Sequence, residues 1–288
     1  MNPSLFTPRI SVELVPRTRE SIAAELEELR RLWPAITAIN LPDLDHLDLG
    51  SFESCALPQA QGLSRIPHLR ASRTPLDSVP QLLRRLDSLG VREVLVVQGD
   101  PPQDGRTVER TTSLELIRAL KSGQPDLAVH AALDPYRQSL QDEQTYALRK
   151  IEAGADSLFT QPLFDTRLME VFGEMLPGVP IYWGLTNVSS ERSRNYWISR
   201  NRAIFPASFE PTLDWCTAFA REAVQHAQST GSHLYFMPIR TGLRDFLGAV
   251  FPPAGGGTDP EGKDHSAATW LPGQTGQQAS AFAGVCGA

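Results

Sequence analysis

Cysteine is scarce: Cys55, Cys216 and Cys286 are the only three in 288 residues, and they lie far apart. That spacing excludes a disulfide framework and a thiolate zinc site, and points to a free-thiol, cytoplasmic protein. Long apolar runs are missing too, none approaching the ~20 residues that span a bilayer. The opening Met1-Asn2-Pro3-Ser4-Leu5-Phe6 lacks the basic start and apolar core of a secretory leader, so none is expected. Positive charge is in deficit, with 27 Lys and Arg against 33 Asp and Glu and a net charge of −6. Neither a nucleic-acid footprint nor a basic membrane patch fits that balance. Also absent are a Gly-x-Gly-x-x-Gly turn after the first strand, a Gly-x-Ser-x-Gly elbow, and His, Cys or Asp at metal-ligand spacing.

What is present is regular alternation. Hydrophobic residues make up 41% and charged residues 21%, the balance of a globular protein with a sizeable core. Strands are read at Ile10–Pro16, Ile36–Asn40, Ile66–Ala71, Val94–Val97, Leu127–Leu133, Ser157–Gln161, Val179–Leu185 and His233–Met237. Helices are read at Arg17–Leu32, from Pro75 as first residue to Gly90, and at Ser113–Leu120, Gln144–Ala153, Arg167–Met175, Glu191–Ser199, Thr212–Ser229 and Arg244–Val250. Leu41 to Leu63 reads as a long loop with one short helix. About eight repeats over roughly 250 residues predict an α/β protein, a single-domain (β/α)8 TIM barrel, with a doubly wound open sheet as the alternative. The barrel domain is expected over 1–251, and the Gly- and Ala-rich stretch 252–288 as a flexible C-terminal tail.

The most informative stretch is Val94-Leu95-Val96-Val97-Gln98-Gly99-Asp100-Pro101-Pro102. An apolar run of this kind suits a strand buried on both faces, and it stops at a glycine and a carboxylate, where α/β folds keep their chemistry. Collected over the barrel, the strand ends offer Glu13, Asn40, His68, Asp100, Asp134, Gln161, Asn187 and Arg240 to one mouth. Glu13 lies among apolar neighbours, where a carboxyl must be paired, neutral or turned to a cavity.

Three blocks together resemble the 5,10-methylenetetrahydrofolate reductase family. Leu86 to Pro102 is similar to that family's Arg-Gly-Asp-Pro-Pro strand end. Leu148 to Asp165, with Lys150, Ala153-Gly154-Ala155, Thr160-Gln161 and Phe164-Asp165, follows Lys-x-x-Ala-Gly-Ala-x-x-x-x-Thr-Gln-x-x-Phe-Asp. Ser11-Val12-Glu13-Leu14-Val15-Pro16 resembles Ser-Phe-Glu-Phe-Phe-Pro. The likeness spans roughly residues 8 to 250 and implies a (β/α)8 barrel, with hydride passing from NAD(P)H through FAD to methylenetetrahydrofolate.

By position, the resemblance makes Glu13 the general acid that opens the imidazolidine ring. It gives Asp100, Gln161, Trp197 and Arg240 to the substrate. It gives Asn40, His68, Gln98, Gly99, Asp100, Glu143, Arg149 and Lys150 to FAD. A homo-oligomer is compatible with it, and the regulatory module of longer eukaryotic relatives is expected to be absent. Three departures touch the flavin contacts: Gln98 for arginine, Asn40-Leu41-Pro42 for Thr-Tyr-Gly, and Phe236 for a tyrosine ahead of the substrate arginine. Two other readings stay open, a flavin-free reductase with direct hydride transfer and a folate-binding subunit of a methyl-transfer complex.

Overall fold

The computed structural model describes residues 6–44, 47, 49–99 and 110–254. Among these, eight parallel strands close in sequence order into a barrel, β1 to β8. They are β1 (Ile10–Glu13), β2 (Ala38–Leu41), β3 (Ser64–Arg70), β4 (Glu93–Val97), β5 (Ala128–Leu133), β6 (Ser157–Pro162), β7 (Ile181–Thr186) and β8 (His233–Met237). The helices are α1 (Arg19–Leu32), α2 (Ser51–Cys55), α3 (Val79–Ser88), α4 (Ser113–Gly123), α5 (Leu140–Glu152), α6 (Thr166–Met175), α7 (Glu191–Asn201), α8 (Leu213–Thr230) and α9 (Leu243–Val250). None of the described helices is long and apolar enough to cross a membrane. The tail expected over 252–288 lies outside the described residues beyond Ala254, whose N–H donates to the Leu32 carbonyl at 2.7 Å.

Local chemistry explains where the helices begin. Thr18 and Thr112 form capping boxes with Ser21 and Glu115, and Ser139, Asp165, Ser190 and Thr212 accept from first-turn N–H groups. Two helix starts differ from expectation by about a turn, and α1, α6, α8 and α9 by one or two residues. Ser139 caps α5 at Leu140, ahead of the expected Gln144, because its hydroxyl takes the Asp142 N–H. Pro75 stays extended, a single 3-10 turn follows at Leu76–Ser78, and α3 starts at Val79 with Pro80 in its first turn. A proline is tolerated there because first-turn N–H groups have no helical partner.

The barrel interior is layered. Side chains at alternate positions point inward, and the apolar middle of the barrel is Ala38, Ile66, Leu95, Phe159, Tyr182, Tyr235 and Met237, with Tyr235 and Met237 in successive layers. Phe159 stacks on Tyr182 with centroids 4.1 Å apart. Below it, toward the strand N-termini, Arg9, Ser64, Glu93, His130 and Ser157 form a polar floor. Above it lies the mouth.

Next to the mouth the β6–β7 register shifts between Phe159 and Pro162. Here a Cβ on Gly184 would lie 2.5 Å from the Thr160 carbonyl oxygen and 2.9 Å from that of Gln161. Both are backbone atoms of a paired strand and cannot swing aside. Gly184→Ala is therefore expected to lower unfolding free energy by about 1–3 kcal/mol, read as a lower urea midpoint. An unchanged midpoint would show that the bulge is not held by this close approach.

Candidate active site

Each mouth residue is placed by strand pairing. Glu13 ends β1 and pairs in register with Asn40 of β2, while His68 follows Ile66, the partner of Asn40, by two residues on β3. On the other side of β1, Ser11 pairs with Tyr235 of β8. The stagger of the closed barrel lets the Tyr235 hydroxyl reach up and donate to Glu13 Oε2. Asn40 Nδ2 donates to His68 Nε2 at 3.1 Å, and the Ser11 hydroxyl donates to Asn40 Oδ1. An amide nitrogen cannot accept, so Nε2 of His68 carries the lone pair and Nδ1 the proton. His68 Nε2 stands 4.0 Å from Glu13 Oε2.

The electrostatics follow from enclosure. The Glu13 side chain is 16% exposed. Burial pushes its carboxyl up to about 7, against the downward pull of the Tyr235 hydrogen bond. Burial pushes His68 down to about 3, so the imidazole is neutral at working pH. The same burial, with Glu13 beside it, raises the Tyr235 phenol well above its ordinary value. The arrangement is a carboxyl able to hold a proton near neutrality, with one hydroxyl donor on it and a neutral imidazole beside it. Such a group suits general-acid chemistry.

Of the residues expected at the mouth, Glu13, Asn40 and His68 come together. Gln161 sits half-buried at the C-terminal end of β6. Asp100 lies outside the described residues. Arg240 is exposed in the β8–α9 loop with φ of 54°, a left-handed backbone uncommon for arginine. Trp197 is buried in α7 and meets Phe164 edge-on at 6.2 Å, so it belongs to an aromatic cluster with Phe205 and Phe209. Asn187 is tied to Ile239 and Thr241, which makes it a brace between the last two strand ends.

Of the residues expected to hold FAD, Gln98, Glu143 and Lys150 make hydrogen bonds within the protein. Val97 packs against the interior layer, so Gln98 points outward, and its amide bonds the Thr111 carbonyl at 3.2 Å and the Ser113 N–H at 3.0 Å. Glu143 is fully buried and takes the Asp134 N–H and the Gln138 amide, each at 2.9 Å. Lys150 is buried with its ammonium on the Ala132 carbonyl at 2.6 Å. Arg149 is exposed in the last turn of α5, which runs away from the mouth; at about 1.5 Å per residue that turn lies more than 10 Å below the first. Gly99 makes the tight turn at the end of β4. Its φ is +79°, and a Cβ there would lie 2.7 Å from Ser72 Oγ, so the backbone turn requires glycine. Among the described residues, then, the side chains do not present a cradle for a dinucleotide pyrophosphate.

Sequence reasoning missed Tyr235 and Ser11. Alternation along β8 was the available signal, since His233, Tyr235 and Met237 share a parity and two of them line the interior. Phe236 faces outward onto Phe246 and Phe251, so the barrel interior does contain a tyrosine on β8, one residue before the position read as lacking it. A separate cavity of about 570 Å³ opens at the opposite end of the barrel, lined by Trp183, His226 and His233 among others. It is remote from the strand C-termini, where barrels of this kind place their chemistry.

Methylenetetrahydrofolate reductase (NADH) 1 of Arabidopsis thaliana is 23% identical over 210 residues, covering 60% of this chain and 35% of that protein. The chain thus spans about a third of the length of that curated relative. Among solved structures, a 2,3-dimethylmalate lyase of the PEP mutase/isocitrate lyase superfamily superposes with a TM-score of 0.52 at 13% identity, covering 83% of this chain and 76% of that one. An oxaloacetate acetylhydrolase gives 0.51 at 13% identity, covering 81% and 76%. At such identities these two show the barrel architecture alone. The family profile described as methylenetetrahydrofolate reductase matches residues 9–209, with Glu13, Asn40 and His68 inside the match, and the chain belongs to that family.

Proposed function

We propose that the chain reduces 5,10-methylenetetrahydrofolate to 5-methyltetrahydrofolate with NAD(P)H as hydride donor, and that Glu13 is its general acid. The observation that carries this is the buried Glu13 carboxyl at the mouth, raised to about 7 by burial and oriented by Tyr235. In the reaction Glu13 gives its proton to the bridging nitrogen as the carbon–nitrogen bond of the imidazolidine ring breaks. The resulting iminium carbon accepts a hydride, forming the methyl group. One proton and one hydride are consumed per turnover, and the nicotinamide leaves oxidised. The neutral His68 beside Glu13 adds no positive charge to draw the proton off early.

Direct transfer from nicotinamide to folate is the route these contacts support, because Gln98, Glu143 and Lys150 are engaged within the protein and Arg149 lies far down α5. The second reading, relay through FAD, rests on the left-handed turn at Gly99 and on the FAD use general in this family. Bound FAD would supply a two-electron hydride carrier between the substrates. Substrate binding by Gln161, Trp197 and Arg240 is part of the same proposal, as is Asp100.

An absorption spectrum and an NADH-oxidation assay test both. The expected result is a colourless protein that consumes NADH or NADPH only when methylenetetrahydrofolate is present. A flavin band that bleaches with NADH and recovers with folate would replace direct transfer by the FAD route. No nicotinamide oxidation in any combination, with or without added FAD, would overturn the reductase assignment.

A further inference from the structure

We propose that Tyr235 is a positioning residue for Glu13: its hydroxyl fixes one carboxyl oxygen and stabilises the carboxylate left behind after proton transfer. This rests on the general-acid role assigned above. Tyr235 has a single O–H, and it is spent on Glu13 Oε2. Oε1 is thereby the oxygen left to carry the transferable proton. The phenol is rooted in the apolar middle of the barrel, with its ring edge-on to Phe159 at 5.3 Å, so the donor is held from below by packing.

The opposite flank is built from neutral groups. Ser11 orients Asn40, Asn40 donates to His68 Nε2, and His68 stands 4.0 Å from Glu13, too far for a hydrogen bond. Among the described residues, Tyr235 on β8 and His68 on β3 are the titratable side chains in contact or near-contact with Glu13, and β2 contributes the uncharged Asn40. Among the described residues, the hydrogen bond the carboxyl receives is therefore the one from Tyr235, and it acts on the conjugate base. It lowers the cost of releasing the proton without making Glu13 an ordinary exposed acid.

Tyr235→Phe removes one oxygen and keeps the ring, so the packing survives and circular dichroism should match the wild type. The Glu13 titration is read by infrared spectroscopy, following the protonated-carboxyl band identified by its loss in Glu13→Gln. The expected result is a Glu13 midpoint raised by about one pH unit. With it should come a fall in kcat of up to about tenfold, read at a pH well below 7 where both enzymes hold the proton, a falling limb of the pH profile moved upward, and a KM for folate that changes little. A midpoint that stays put or falls would overturn the positioning role. Because the infrared readout needs no substrate, it separates the two claims. A raised midpoint in a protein without folate-dependent NADH oxidation would sink the reductase reading while leaving the Tyr235–Glu13 link intact. An active enzyme with an unmoved midpoint would do the reverse.

Discussion

Replacing Glu13 with glutamine is expected to slow folate-dependent NADH oxidation by about 10²–10⁴-fold, the span that general acids contribute. The amide has nearly the shape of the carboxyl and can still accept from Tyr235, so the mouth should keep its geometry and nicotinamide affinity should stay near wild type. What disappears is the proton. Burial holds the wild-type carboxyl up at about 7, so the protonated form dominates below that pH, and the wild-type rate should fall as pH rises through about 7. In Glu13→Gln that limb should vanish. Stability gives an independent check. Between the ordinary carboxyl value of 4.5 and the folded value near 7, the native state keeps a proton that the unfolded chain has lost. Wild-type stability therefore declines as pH rises across that window. Glutamine removes the penalty, and the variant should gain more over wild type at pH 8 than at pH 5. A variant retaining activity within tenfold, or one whose stability tracks wild type at both pH values, would deny Glu13 its role.

The fold was legible because each step relied on local chemistry. Short β-branched runs such as Val94 to Val97 mark strands covered on both faces, and Thr112 with Glu115 marks a helix start unaided. Glu13, Asn40 and His68 were legible as mouth residues because each lies at or near the end of its strand. The partners were not. Tyr235 is 222 positions from Glu13, and which residue of β8 meets which of β1 is set by the stagger with which the last strand closes on the first. The orientation of the Gln98 side chain was hidden for a related reason. At a strand end one step of alternation separates a side chain facing the mouth from one facing a helix, and Val97 takes the inner position. The placement of Lys150 was hidden because position on a helix does not reveal that this long side chain reaches inward to a strand carbonyl. The polar floor is invisible locally, since it joins Arg9 to Glu93 across 84 positions.

That floor carries the largest expected loss of stability. Glu93 receives both Arg9 Nη1 and Nη2 at 2.7 Å, together with the Ser64 hydroxyl, and its other contact is His130 Nε2 at 3.0 Å. The Glu93 side chain is 15% exposed and that of His130 is 5%. Removing the carboxylate strips the partly buried Arg9 guanidinium of its counter-charge, leaving it, among the described residues, only the Tyr182 hydroxyl, so Glu93→Ala is expected to cost about 3–5 kcal/mol, read by urea unfolding at pH 7. Burial alone would push the Glu93 carboxyl up, but the bonds from His130, Arg9 and Ser64 outweigh it and hold the group well below the usual carboxylate range. Its contribution is therefore fully present above the ordinary value of 4.5 and is lost as pH falls below that toward the depressed folded value. The gap between wild type and Glu93→Ala should narrow on acidification, the opposite sense to the Glu13 effect. Arg9 immediately precedes β1 and Glu13 ends it, roughly 13 Å apart at strand rise, so the rate per folded molecule should hold within about twofold of wild type. A loss below about 1 kcal/mol would place the floor among the weak surface pairs, and a pH-independent gap would mean that Glu93 acts by filling space and not by its charge.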